Sequence, residues 1–239
     1  VLLPDAGFPV GAGTDPEGWA TELVDRLAGG RLRWEGVFTH LHSADEEGPV
    51  ARASVQAQVE RFQAAVRVLE RVREARGMPR LRTHVANSAG ALRFPELVAS
   101  FDRVRPGVTL YGGGVGADQG LARVVAVRAR VVRVVQVAAG TTAGYGATYR
   151  ASRPERWATL AVGYGDGLPR ALSGKGWALV RGVRVPMVGR ISMDMCVVDV
   201  TAVPGAGVGD VATLVGRDGD QVISLDEVAE AAGTIHYEI

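Results

Sequence analysis

The sequence predicts a parallel α/β region over residues 1–120 followed by a mostly antiparallel β domain over residues 121–239. Two patterns carry that reading: short apolar strands alternate with helical periodicity in the first half, and period-two alternation takes over near Leu121. Length adds a constraint. A closed eightfold α/β barrel takes about 250 residues, so the first region can form only part of one, and a part-barrel leaves strand edges open.

In chain order, Thr14, Asp15, Pro16 and Glu17 combine a capping side chain, a proline at the first helical position and an early acid. They predict a helix to about Ala28 that stops at Gly29 and Gly30. Val37 to His40 follows as a short strand. Val55, Val59, Phe62, Val66, Leu69 and Val72 recur at three- and four-residue steps, the apolar stripe of a long helix ending near Gly77 and Pro79. Arg82 to Ala86 is a second strand, a short helix follows Ser88, and Arg103 to Thr109 reads as a third strand entry. The stretch Gly112 to Gly120 is the expected linker, with the boundary at 118–121. Beyond it Val125, Val127 and Ala129 alternate with Arg128 and Arg130, Trp157 to Val162 is strand-like, and Val180-Arg181-Gly182-Val183 has the form of a tight hairpin. Ser224 with Glu227 three residues later is a capping box opening a helix through about Ala231, and the residues before Ile239 read as the start of a strand.

Composition narrows the function. At 239 residues, 47% hydrophobic and 22% charged, the chain can bury a proper core, and a net charge of +1 gives no electrostatic pull toward nucleic acid or anionic membrane. Small-molecule chemistry is the expectation. The single cysteine, Cys196, cannot form an internal disulfide, and no run reaches the roughly 20 apolar residues of a membrane span, so a cytoplasmic location is expected. The chain starts at Val1 with no leader-like segment, and both ends read as cut. Its basic charge is almost all arginine; Lys175 is the one lysine.

Several residues carry possible chemistry. His40 falls at the C-terminal end of a strand, where parallel barrels build their sites, although a buried histidine satisfied by nearby backbone is the alternative. His84, Asn87 and Ser88 sit where a strand turns into a helix, a place whose free N–H groups and hydroxyl can take a phosphate, or where Asn-Ser simply caps. After Arg105, Pro106 has no N–H to give, but Gly107 lets backbone approach a ligand closely, and the N–H groups of Gly107 and Val108 can donate. Flanking glycines in Gly144-Tyr145-Gly146 leave the phenol exposed, whereas Tyr149 reads as packing. Taken alone, Met193 reads as core.

The order and spacing of Thr39-His40, His84-Val85-Ala86-Asn87-Ser88, Arg105-Pro106-Gly107, Gly144-Tyr145-Gly146-Ala147-Thr148-Tyr149 and Gly189-Arg190-Ile191-Ser192-Met193-Asp194 resemble the pyridoxal-phosphate-dependent alanine racemases of fold type III. The likeness runs from about Gly36 to Ile239. It implies the later portion of a TIM-type (β/α)8 barrel, which binds pyridoxal 5'-phosphate, followed by the family's C-terminal β domain. It also implies interconversion of L-alanine and D-alanine by two-base proton transfer, for peptidoglycan precursors, in a cytoplasmic homodimer with shared active sites.

By the same resemblance His40 packs against the pyridine ring, and Ser88, Tyr237 and the N–H groups of Gly107 and Val108 hold the phosphate. His84 contacts Arg105, which faces the ring nitrogen. An arginine keeps its proton there, leaving a poorer electron sink that suits racemisation over transamination. Tyr145 is the implied base on the L-alanine face, tuned through a chain to His40, Arg105 and His84. Met193 donates through its N–H to the substrate carboxylate, Asp194 is implied as substrate-binding beside it, and Tyr164, Asp166 and Arg170 line the entrance.

Two places depart from the family. Around Asp5-Ala6-Gly7, Leu3 and Val10 stand where the family carries a lysine and an arginine; each lost charged donor removes roughly 1.5–3 kcal/mol of interaction. The lysine that anchors the cofactor and serves the D-alanine face has no counterpart, because Lys175 lies in a glycine-flanked β-domain loop. The expectation is therefore an incomplete copy of such a racemase, without the lysine-bearing first half of the barrel. The alternative is a noncatalytic remnant or dimerising fragment. A related barrel decarboxylase, or a racemase for another amino acid, fits the Gly-Tyr-Gly-Ala-Thr-Tyr and Ser-Met-Asp segments less well.

Overall fold

The structure, a computed structural model, describes residues 15–28, 33–113 and 120–239 and falls into two compact units. The first runs to Leu110; the second holds Tyr111–Gly113 and Leu121–Ile239. Leu3, Asp5-Ala6-Gly7, Val10, Thr14, the Gly29-Gly30 stop and most of the expected linker lie outside the described residues.

In the first unit, helix α1 (Pro16–Ala28) opens with Pro16 after Asp15, whose Oδ1 accepts the Gly18 N–H at 2.8 Å. That is a capping bond at the first turn. Strand β1 (Gly36–Phe38) and strand β2 (Arg82–His84) pair in parallel, Val37 opposite Thr83. Between them helix α2 (Pro49–Glu74) runs 26 residues and buries Val55, Val59, Phe62, Leu69 and Val72 against Val37, Leu81 and Val85 in one core. The stripe also buries Ala65 and Gln58, whereas Val66 is only half-buried. Helices α3 (Ser88–Arg93) and α4 (Pro95–Val98) follow, α3 capped by Asn87, whose Oδ1 accepts from Gly90 N at 2.9 Å.

Two expectations are corrected here. Both strands stop earlier than their apolar patterns suggested, at Phe38 and His84, because side chains rather than a neighbouring strand take the next carbonyls. Arg103 to Thr109 forms no strand. Among the described residues, only two backbone bonds tie this stretch and its preceding residue to β2 and the segment after it, Asp102 N to Thr83 O and Arg105 N to Ala86 O, both 2.9 Å. Pro106 then offers no N–H to continue a ladder, and Val108–Tyr111 closes as a 3-10 turn.

The second unit is built on a seven-stranded antiparallel sheet. Strands β3 (Val127–Val137), β6 (Glu155–Leu160), β7 (Trp177–Val180), β8 (Val183–Pro186), β9 (Cys196–Asp199) and β10 (Val211–Asp218) run in the order β8-β7-β10-β3-β6-β9, and β11 (Gln221–Ile223) pairs β10. The two outer strands approach each other as well: Met187 bridges Val198, and Val188 N donates to Val197 O at 2.9 Å. The inward residues Val131, Leu160, Leu179, Val180, Val198 and Leu214 make one core. A small separate hairpin, β4 (Thr142–Ala143) with β5 (Tyr149–Arg150), holds the Gly144-to-Thr148 loop at its tip.

The Val180–Val183 hairpin turns through Arg181 and Gly182, both at positive φ, the primed geometry that matches strand twist. Ser224 caps helix α5 (Leu225–Ala232) through the Glu227 N–H, but the Glu227 carboxylate pairs with Arg184 instead of closing the box. The chain ends in a 3-10 turn, His236–Glu238, rather than the expected strand start. Glu238 N bonds back to Ile235 O at 3.0 Å, curling the backbone away from any ladder.

Candidate active site

In the first unit the C-terminal ends of β1 and β2 converge on one guanidinium. Arg105 Nη1 donates to His84 Nδ1 at 2.7 Å and to His84 O at 3.2 Å; Nη2 donates to Thr39 O at 2.9 Å, to Val85 O at 3.3 Å, and reaches His40 Nδ1 at 3.4 Å. Phe38 and His84, opposite each other in the parallel register, stack at 4.8 Å and 7°, and the Arg105 guanidinium lies 4.9 Å from the Phe38 ring centre. Arg105 is thus a half-buried cross-link between strand ends, not a surface salt-bridge residue.

The protonation states follow from these donors. Arginine cannot accept, so His84 Nδ1 carries the lone pair and its proton sits on Nε2. His40 faces Arg105 at Nδ1 and the Asn87 amide nitrogen at Nε2, each 3.4 Å away. The Asn87 orientation is fixed, since Oδ1 accepts from Gly90 N and Nδ2 donates to Leu41 O at 3.0 Å. An imidazolium would turn N–H groups toward donors on both sides. Burial first and Arg105 second hold both histidines below the ordinary histidine range, so both are neutral near pH 7.

Ser88, buried at the start of α3, accepts the Gly107 N–H at 2.8 Å and the Thr109 hydroxyl at 3.2 Å. Its own hydroxyl proton therefore has to find a further acceptor. A Cβ placed on Gly107 would meet nothing within 4 Å, so the space before Gly107 and Val108 is open. The Ser88 hydroxyl proton, the Gly107 N–H that Ser88 now holds and the open space beside Gly107 are what this corner could offer an anion.

The second unit holds the other candidates. Tyr145 is 71% exposed at the tip of the β4–β5 hairpin, on a turn with Gly144 and Gly146 at φ 72° and 73°. Behind that turn a Cβ on Gly144 would stand 2.4 Å from Arg190 N, so Gly144-Tyr145-Gly146 lies directly on the start of the Arg190–Asp194 segment. Met193 is 55% exposed, which corrects its reading as core. The turn Tyr164–Asp166 is bound to the same loop: Tyr164 N donates to Ser192 O at 3.0 Å and Gly165 N to Met193 O at 2.8 Å. Asp166 Oδ2 accepts the Gly163 N–H at 2.9 Å, and Arg170 and Asp194 are exposed nearby in sequence on their own turns. Tyr237 stacks on His236 at 4.8 Å.

The structure brings His40, His84, Ser88, Arg105, Gly107 and Val108 together in the first unit, and joins the Tyr145, Tyr164 and Met193 loops in the second. Two residues escaped the sequence reading. Gln58 is a polar interruption in the apolar stripe of α2 and binds the turn after β1; that interruption was the available signal. Glu155 is buried beneath the hairpin, accepting from the Tyr149 hydroxyl at 3.0 Å and Trp157 Nε1 at 2.7 Å, with nothing in its sequence setting to mark it.

Comparison with known proteins places this geometry in context. Residues 11–114 match the model of the alanine racemase N-terminal domain and residues 124–239 that of the alanine racemase C-terminal domain. The alanine racemase of Syntrophobacter fumaroxidans is 41% identical over 227 residues, 93% of this chain and 57% of that protein. A crystal structure of alanine racemase from Bacillus anthracis with bound L-Ala-P superposes with a TM-score of 0.80 at 31% identity, covering all of this chain and 60% of that one. Alanine racemase from Bartonella henselae, described with covalently bound pyridoxal phosphate, superposes at 0.75 with 26% identity, covering all of this chain and 62% of that one. The chain thus spans little more than half the length of the relatives it matches.

Proposed function

Since the chain belongs to the alanine racemase family, we propose that it supplies the later, cofactor-facing portion of the barrel (1–120) and the C-terminal β domain (121–239) of an enzyme interconverting L- and D-alanine. The observation that carries this reading is the Arg105 cross-link, which gathers His40 and His84 at the C-terminal ends of two parallel strands.

The residues present fit pyridoxal phosphate. The Ser88 hydroxyl and the N–H groups of Gly107 and Val108 would hold its phosphate, the Gly107 N–H being shared with Ser88, with Tyr237 as a further contact; Arg105 would face its ring nitrogen with His40 against the ring. When bound, the cofactor supplies the electron sink that acidifies the substrate α-carbon. Arg105 donates a hydrogen bond and keeps its proton. His40 and His84 stay neutral and hold the guanidinium in place. Tyr145 Oη, exposed on its hairpin, handles the α-proton on the L-alanine face; the Met193 N–H donates to the substrate carboxylate, Asp194 is the other substrate-binding residue of that segment, and Tyr164, Asp166 and Arg170 shape the approach. One subunit's hairpin would complete a partner's barrel site in a homodimer, and a cytoplasmic role in peptidoglycan precursor supply follows from the family.

The chain's one lysine, Lys175, lies in an exposed turn of the second unit, so the covalent anchor and second base are not evident among its residues. Titration with pyridoxal phosphate, borohydride reduction and peptide mapping test the reading. Binding that Arg105→Ala and Ser88→Ala weaken supports it. Trapping at Lys175, with L-alanine converted to D-alanine faster than L-serine or L-lysine is converted to its own enantiomer, would make this chain an enzyme by itself. No binding, with dimers in sedimentation, would replace the reading with a noncatalytic dimerising fragment.

A further inference from the structure

Beyond β1 the backbone leaves its sheet, and three successive carbonyls, those of Thr39, His40 and Leu41, lose strand partners. Each is taken by a side chain from a different element. Arg105 Nη2 donates to Thr39 O at 2.9 Å, Gln58 Nε2 to His40 O at 2.7 Å, and Asn87 Nδ2 to Leu41 O at 3.0 Å. Gln58 does most: the same amide nitrogen reaches Thr39 Oγ1 at 3.2 Å, and its Oε1 accepts the His42 N–H at 3.3 Å. It is only 2% exposed and sits between Val55 and Phe62 on the buried face of α2, where an apolar side chain would pack at no desolvation cost. A buried amide whose donors and acceptor all meet one four-residue turn is an orienting device.

We propose that Gln58 is a positioning residue for His40: one buried amide fixes the backbone from Thr39 to His42 and thereby sets the stand of the imidazole against Arg105 and Asn87. The role matters for catalysis only through the reading of His40 as the residue packed against the cofactor ring, on which this inference rests. Gln58 itself touches no ring atom of His40. Without its clamp the turn keeps the Arg105 and Asn87 bonds at its two ends, but its middle carbonyl is unpaired and the ring is free to turn between them.

The test is histidine-selective NMR on the full chain, with His40 signals assigned by a His40→Gln spectrum. Gln58→Met preserves side-chain length and apolar packing while removing the amide, and Val59→Ala, on the same buried face, serves as a control that loosens the core without touching the turn. The charged group facing His40 is the Arg105 guanidinium, and the titratable but neutral His84 lies beyond it. In Gln58→Met the His40 ring signals should shift, broaden and titrate closer to the ordinary histidine value, those of His236 should stay, and Val59→Ala should leave His40 as in the unaltered chain. Unchanged His40 signals in Gln58→Met, or equal changes in both variants, overturn the proposal. If Gln58→Met does not fold, Gln58→Leu, which also removes the amide and adds no charge beside His40, is judged by the same criteria. Pyridoxal phosphate binding by the unaltered chain is measured in parallel: its absence alongside a displaced His40 removes the cofactor reading and leaves the positioning role standing.

Discussion

Arg105 directs both terminal nitrogens at backbone carbonyls and at the Nδ1 atoms of His84 and His40, and a cation so placed opposes protonation of either ring. Burial, then Arg105, holds the His40 and His84 pKa values below their unfolded ones, so protonation favours the unfolded chain. Their stabilisation is full above about 6.5 and is lost as pH falls through the depressed folded values. Melting temperature measured from neutral pH down to about 5 should therefore fall, and more shallowly in His84→Gln; a curve of the same slope in that variant would remove the histidines as its cause. A second residue-scale expectation concerns Tyr149, whose hydroxyl is pushed up to about 12, first by burial and then by the Glu155 carboxylate it donates to. Tyr149→Phe leaves that buried carboxylate with Trp157 alone, and denaturant titration should show a loss of about 1–3 kcal/mol. The Tyr149 packing role was legible in sequence; its acidic partner was not, because nothing local distinguishes a buried glutamate from a surface one.

Among the elements, helices were the easiest to read. The α2 stripe and the Ser224 cap are local patterns, fixed by 3.6-residue periodicity and by one side chain bonding three residues ahead. Ser224→Ala should cost about 1 kcal/mol, read as a lowered denaturation midpoint. Strand ends were harder, since β1 and β2 stop where distant side chains, Gln58 and Arg105, take over their carbonyls. Loop-to-loop fit was not readable at all. Gly163 lies against Ser192 and Met193, and a Cβ there would stand 2.3 Å from both carbonyl oxygens. Gly163→Ala should cost roughly 1–3 kcal/mol by overpacking and displace the Met193 loop, a shift that the Met193 methyl resonance would report.

At the scale of the whole molecule, two separate cores stand behind the two units. The second unit's sheet brings its outer strands together through Met187 and Val198, and its core residues, Val131, Leu160, Leu179 and Val198 among them, are buried among its own elements. Residues 121–239 expressed alone should unfold in a single cooperative transition; a broad, non-cooperative melt would show that this core depends on the first unit. Among the described residues no helix is long and apolar enough to cross a membrane.

The sequence by itself determined the division into an α/β and an antiparallel β half, the helix periodicities and caps, the Arg181-Gly182 hairpin and membership in a racemase family, because each is written in local periodicity or in ordered short motifs. Tertiary structure alone decided which polar groups meet. Thr39, Gln58, Asn87 and Arg105 come from four segments of the chain and share one turn only after folding. Met193, apolar by composition, stands exposed because Ser192 and Met193 turn their carbonyls to the Gly163-Tyr164-Gly165 loop. A carbonyl left without a strand partner must be satisfied by whatever donor the fold brings near, and sequence spacing carries no record of that distance.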